Sequence, residues 1–314
     1  MAANPPPAAP DPTEPDANWE HRDLWVAVKK ALYTLPSTFD SELVISGVLA
    51  TDLFAFNSSL GATIEEQVIA SLNKLRGVWD PDQKYALYSF ERQPQTFPDV
   101  VLRASAPDVE PKIIMGIELK GWYVLAKEKE PSFRYKVTPA VCAPQDLIVV
   151  VPWALSKVIS GSPQVFAPFV MGARQAAEYR NWYWEFMRVE RPTAVPKPRG
   201  VTLSTIDANY PTKSDAIGDT PEYDGGGNFG RLARSGVMET YIDELFADKL
   251  SGIPLSAWQK FLGLFTESQT AAELANGLNR LALAYPADVM PEGKAEQVRQ
   301  KLAELTAILQ GPVD

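Results

Sequence analysis

Apolar residues from His21 to Leu35 recur at Leu24, Val26, Val28, Ala31, Leu32 and Leu35, roughly helical spacing, and Pro36 ends the run. A second helical stretch is expected over 41–54. A third begins after Gly61, where Thr63 can cap a helix whose stripe is Ile64, Val68, Leu72 and Leu75, ending near Gly77. The period then changes to that of strands at 85–90, 99–103 and 113–119. Ala106-Pro107-Asp108 is a short polar connection, so the second and third of these strands pair as an antiparallel hairpin. The β-branched run 146–151 reads as a strand covered on both faces. A long helix over 170–187 follows.

Four regions result. Residues 1–18 are a Pro-rich tail without regular structure, with six prolines in the first 16 positions. Residues 19–192 hold the sheet and the N-terminal helices. Residues 193–235 are a loop-rich insertion containing the run Gly225-Gly226-Gly227-Asn228-Phe229-Gly230, and residues 236–314 read as helices at 238–250, 254–265, 271–283 and 293–309. The fold class is α/β with a mixed central sheet.

Composition narrows the chemistry. The chain has 314 residues, 46% of them hydrophobic, enough for a substantial core. Its longest apolar stretch, Leu147 to Leu155, is far short of the roughly 20 residues of a membrane span. No basic region precedes an apolar run at the start, so a cytoplasmic protein is expected. Cys142 is the only cysteine and His21 the only histidine, which excludes internal disulfides, multi-histidine zinc sites and most Ser-His or Cys-His nucleophile pairs. His21 reads as a helix-start residue. Chemistry falls to carboxylates, lysines, arginines and hydroxyls.

Net charge is −9, which argues against nucleic acid until its distribution is considered. Residues 1–111 carry 8 basic and 16 acidic side chains, residues 112–199 carry 13 and 7, and residues 201–314 carry 9 and 16. A basic centre lies inside an acidic protein.

That centre holds Pro98-Asp99 and, after one strand, Glu118-Leu119-Lys120. Strand alternation puts Glu118 and Lys120 on one face, and the hairpin brings Asp99 to them. Two carboxylates without histidine or thiolate are hard oxygen ligands suited to Mg2+, with the Leu119 carbonyl as a further oxygen. Lys120 would orient water, and the chemistry would be metal-assisted phosphodiester hydrolysis.

The pattern resembles the PD-(D/E)xK nuclease superfamily, which includes many type II restriction endonucleases. The match covers about residues 60–152. It implies an αβββαβ core, flanked here by N-terminal helices and a helical C-terminal extension, and a Mg2+-dependent endonuclease acting on double-stranded DNA, commonly as a homodimer. In many members an acidic residue of the first core helix joins the site, and here Glu65 and Glu66 are the candidates. Glu65 is favoured because it adjoins the Ile64–Val68 stripe. The second core helix of the superfamily often carries basic residues, which implies phosphate contacts for Arg134 and Lys136.

Arg174, Arg180, Arg188, Arg191, Lys197 and Arg199 string further basic side chains beyond the fourth strand, with Arg174 and Arg180 as backbone contacts. The aromatics of 182–186 read as core rather than as a base-stacking platform. The glycine run lacks the ending of a phosphate-binding P-loop and reads as a connector. A structure-directed repair nuclease, a non-catalytic binding module and a small-phosphoester hydrolase are the alternatives. Circular against linear DNA, binding without Lys120, and the basic centre respectively separate them from the favoured reading.

Overall fold

The computed structural model describes residues 6–47, 53–93, 96–188, 198–199, 210–211, 216–221, 223–265 and 270–283, with short pieces between 296 and 304. The protein is mixed α/β. A six-stranded mixed sheet forms its centre, from strands β1 (Tyr88–Arg92), β2 (Val100–Ala104), β3 (Ile113–Tyr123), β4 (Leu147–Leu155), β5 (Pro163–Val165) and β6 (Phe169–Gly172).

Helix α1 (Arg22–Tyr33) buries Leu24, Val28, Ala31 and Leu32 of the expected stripe, with Trp25 buried as well and Val26 only half-buried. Pro36 lies in the first turn of α2 (Leu35–Thr38), where its missing N–H leaves no bond unmade. Of the helix expected over 41–54, residues 41–47 form none and 48–52 lie outside the described residues. Residues 39–47 are irregular, and Ile45 instead makes an isolated bridge with Gly161. Residues 53 and 54 belong to α3 (Leu53–Lys74), 22 residues long, which passes through Gly61 and Thr63 without a break. Thr63 is thus helix interior, not a cap. The stripe Ile64, Val68 and Leu72 is buried as expected, and a short α4 (Arg76–Trp79) follows. Asn73 ties α3 to the sheet by donating to the Phe90 carbonyl and accepting from the Phe90 N–H, both at 2.9 Å.

Strands β1, β2 and β3 form an antiparallel meander, and β4 lies parallel to β3 in the register Glu118–Ile148 and Lys120–Val150. All nine β4 residues are buried, as a continuous apolar strand predicts. β5 and β6 share the other edge of β4. Between β3 and β4 there is no α-helix, only the 3-10 turn Pro139–Val141, because Pro131 and Pro139 interrupt the segment. The second helix expected in that connection is therefore absent. A helix comes only after the sheet, as α5 (Ala173–Trp182), shorter than the 170–187 span expected because residues 169–172 pair with β4. A single π turn, Tyr183–Met187, continues it.

The two-residue strands β7 (Pro198–Arg199) and β8 (Thr220–Pro221) pair within the insertion, and most of 189–215 lies outside the described residues. Beyond it come α6 (Glu239–Ala247), the small pair β9 (Lys249–Leu250) and β10 (Ile253–Pro254), α7 (Leu255–Leu262) and α8 (Ala271–Leu283). The helix expected over 293–309 falls largely outside the described residues. No described helix is long and apolar enough to cross a membrane.

The core has two parts. The larger joins α1, α3, α6 and α7 to the sheet through residues such as Leu32, Ile64, Met115 and Val149. The smaller holds Phe97, Tyr135, Cys142, Ile148 and the α5 alanines. The tail, expected to be flexible, is irregular but docked: Trp182 Nε1 donates to the Pro7 carbonyl at 2.8 Å, and Glu14 pairs with Arg22 at 2.7 Å. His21 stands at the start of α1, but its ring makes no capping bond. Its Nδ1 lies 3.1 Å from the Tyr85 hydroxyl.

Candidate active site at the ends of β2 and β3

Asp99 lies immediately before β2, one residue beyond the Val100–Ile117 pair, so the antiparallel register sets it opposite Glu118. Alternation along β3 sends the Leu119 side chain into the core and keeps Glu118 and Lys120 on the other face. The Lys120 ammonium sits between the carboxylates, 2.9 Å from Glu118 Oε1 and 3.1 Å from Asp99 Oδ2. Asp99 Oδ2 also accepts the Leu119 N–H at 3.0 Å, which fixes its orientation.

The fourth member comes from α3. Glu65 Oε1 accepts the Gly121 N–H at 3.1 Å, while Glu66 is exposed on the adjacent face. Glycine at 121 eases this approach, since a Cβ there would lie a tight 3.3 Å from both the Cα and the carbonyl oxygen of Gly61. Asp99, Glu118 and Lys120 thus form one contact cluster, and Glu65 joins its edge through the Gly121 N–H.

Burial sets the electrostatics. The Glu118 side chain is only 12% exposed. Its carboxyl is pushed up to about 7, first by burial and then by Asp99, against the lowering effect of Lys120. Glu65 is raised too, by burial, with the Gly121 N–H and Lys120 opposing. Burial pulls the Lys120 ammonium down, but Glu118 and Asp99 outweigh it and hold the group above the ordinary lysine value, fully charged. Lys120 pairs with two of the acids and Arg92 also acts on Glu65, yet the carboxyls of Glu65 and Glu118 stay raised.

That imbalance is what a divalent cation would relieve, and the donors are hard oxygens of the kind Mg2+ takes. Among the described residues no three His, Cys, Asp or Glu side chains already form a metal-holding group. In this arrangement Lys120 is the cation that bridges Asp99 and Glu118. A metal would therefore share the carboxylates with the ammonium, using oxygens that Lys120 leaves open.

The basic residues separate into different roles. Arg180 is buried and held within the fold: it donates to Asp219 Oδ2 at 2.5 Å and to the Tyr135 and Val137 carbonyls at 2.8 and 2.9 Å. Its Nε and Nη2 also meet Asn181 Oδ1, so its donors join α5 to the segment after β3 and to Asp219 of the insertion. Arg174 donates Nε to the Cys142 carbonyl at 2.9 Å. Arg134 is exposed, and Lys136 lies 3.8 Å from Asp224. Of the aromatics, Trp184 is buried against Phe229 and Phe186 is 45% exposed. Arg191 and Lys197 lie outside the described residues, as does the Arg199 side chain.

Sequence reasoning missed a buried acid. Asp146, just before β4, accepts the Gly116 N–H at 2.9 Å, the Ala143 N–H at 2.8 Å and the Tyr210 hydroxyl at 2.6 Å. Burial pushes its carboxyl up to about 6. Gly116 is packed against Pro98 as well, so Asp146 braces β3 beside the residue that precedes Asp99. The only signal in the sequence was an acid directly preceding a fully apolar strand.

Comparison of the chain with protein-family models, curated proteins and solved structures finds no match.

Proposed function

We propose that this protein is a Mg2+-dependent endonuclease that hydrolyses DNA phosphodiester bonds, in the manner of a type II restriction enzyme. The observation that supports the reading is the Lys120 ammonium held between the Asp99 and Glu118 carboxylates, with Glu65 bonded to the Gly121 N–H beside them.

Asp99 and Glu118 would hold Mg2+, with the Leu119 carbonyl and Glu65 as further oxygens. When bound, the cation supplies activation of a water and neutralisation of the charge developing on phosphorus. Lys120, fully charged and held by two carboxylates, aims an N–H donor at the attacking water or the phosphoryl oxygen. Glu118 would have to be ionised to hold the cation, so a proton released from that water would pass to solvent rather than to Glu118. Glu65 fixes the end of β3 through Gly121 and so sets where Lys120 points. No side chain acts as a covalent nucleophile.

The basic segment 112–199 supports a polyanionic substrate, and the acidic flanks would limit non-specific association. Double-stranded DNA and a homodimeric assembly follow from the resemblance of the motif. A second reading rests on the Lys120 bridge itself: the ammonium already pairs both carboxylates, as a purely structural cluster in a non-catalytic binding module would. Cleavage of unmethylated plasmid and phage DNA with Mg2+, compared with EDTA and with Lys120→Ala, tests the proposal. Discrete fragments support it, and a smear would point to a structure-directed or non-specific nuclease.

A further inference from the structure

Away from the carboxylates, a second group of basic side chains closes over a small cavity. Arg188, just past the π turn, lies on the Trp184 ring with its guanidinium carbon 3.9 Å from the centroid. Arg231 and Arg234 come from the end of the glycine run and the 3-10 turn Leu232–Ser235. With Arg180 and Trp184 they line a cavity of about 140 Å3, and no carboxylate is among the described residues lining it. That volume equals roughly four or five waters, enough for a tetrahedral oxyanion and too little for a nucleoside.

The charges are unevenly balanced. Arg180 is neutralised by Asp219. Arg231 lies 3.8 Å from Glu128, and Arg234 lies 3.1 Å from Glu130. Even so, Arg231 Nε is buried without a hydrogen-bond partner among the described residues, and so is the indole Nε1 of Trp184, a residue only 3% exposed. A buried N–H that meets no acceptor is costly. Both residues line the cavity, which a ligand made of acceptor oxygens would suit.

The glycine run gains a purpose here. Gly225 and Gly227 have positive φ (59° and 83°), and a Cβ would collide with the guanidinium of Arg188 at the first and of Arg134 at the second. Gly230 is alike, with the Lys136 side chain 3.0 Å from where its Cβ would be. The loop is a seat on which basic side chains from two other segments rest.

We propose that this cavity binds a phosphate group, either free phosphate or a terminal phosphate monoester. Paired guanidiniums suit the planar faces of a phosphate, and a monoester needs only one side of the cavity open for its single attachment. A phosphodiester inside a strand would need two exits. The site uses none of Glu65, Asp99, Glu118 or Lys120 and does not depend on the nuclease reading.

The test titrates inorganic phosphate into the full chain in EDTA, against chloride at equal ionic strength, with unfolding temperature and calorimetry as readouts. Wild type and Lys120→Ala should show the same saturable stabilisation by phosphate, and Arg188→Gln and Arg231→Gln should bind at least tenfold more weakly. Arg188→Gln is an independent variant on another segment, so the test stays valid if Arg231→Gln fails to fold. A short oligodeoxynucleotide with a 5′-phosphate or a 5′-hydroxyl then separates the sources. Preference for the phosphorylated strand, lost in Arg188→Gln, assigns a strand terminus, and no preference assigns free phosphate or a small ester. Wild type responding to phosphate only as it does to chloride, or both arginine variants binding like wild type, would overturn the proposal.

Discussion

Glu65 and Gly121 are 56 positions apart, yet the Glu65 carboxylate accepts the Gly121 N–H at 3.1 Å and so couples α3 to the strand that carries Lys120. The contact exists because glycine lets the two backbones meet. Gly121→Ala would place a Cβ 3.3 Å from Gly61, and backbone on both sides must shift. The expected cost is about 1–2 kcal/mol of stability, with a larger proportional loss of nuclease activity as Glu65 and Lys120 move apart. Thermal unfolding and cleavage rate measured on the same preparation check this. Unchanged cleavage would remove Glu65 from the site.

Mg2+ should stabilise the protein more as pH rises. The Glu118 carboxyl, pushed up to about 7 by burial, must lose its proton before it can hold a cation. The increase in unfolding temperature from millimolar Mg2+ should be small near pH 5.5 and larger near pH 8.5, on the two sides of that value. Glu118→Gln should abolish the pH dependence of the increase. An increase that is flat with pH in wild type would count against Glu118 as a ligand.

Asp146 predicts an opposite slope without metal. Its folded carboxyl is raised to about 6 from 3.8, so the folded state holds the proton more tightly than the unfolded one. Stability from this group is full below about pH 4 and falls as pH rises through 6, by up to about 3 kcal/mol. Asp146→Asn should flatten that segment of the stability profile. It should also lower stability overall, because an amide N–H would face the donor of Ala143 or Gly116. Chemical denaturation across the range measures both effects.

Arg180→Ala separates a structural arginine from a phosphate contact. Its partner Asp219 has a side chain only 2% exposed and would be left as a buried unpaired charge. A loss of about 3–5 kcal/mol is expected. A stable variant that binds DNA more weakly would restore the nucleic-acid role.

Much of the framework was legible because it depends on local period. The unbroken apolar run of β4 and the alternation around Glu118-Leu119-Lys120 each specify a face without knowledge of the rest. The choice of Glu65 over Glu66 needed only the helical angle from Ile64. What could not be read depended on distant partners. Residues 41–47 have helix-compatible spacing, but Ile45 pairs with Gly161. Phe169–Gly172 looked helical and is strand because β4 offers an open edge. Arg180 looked like a groove residue until Asp219 and two carbonyls from the far side of α5 met it. The tail has nothing to bury on its own, yet Trp182 supplies an anchor for Pro7.

The central claim is that Lys120 acts at a metal-assisted hydrolytic site rather than merely neutralising two acids. The most direct measurement is cleavage of a mixture of plasmid and phage DNAs by wild type and Lys120→Ala, with Mg2+ and with EDTA. Wild type with Mg2+ should give discrete fragments, EDTA none, and Lys120→Ala a rate lower by about 100-fold or more. No cleavage of diverse DNAs by wild type, with both proteins binding DNA equally, would contradict the account and leave the cluster as a structural ion bridge.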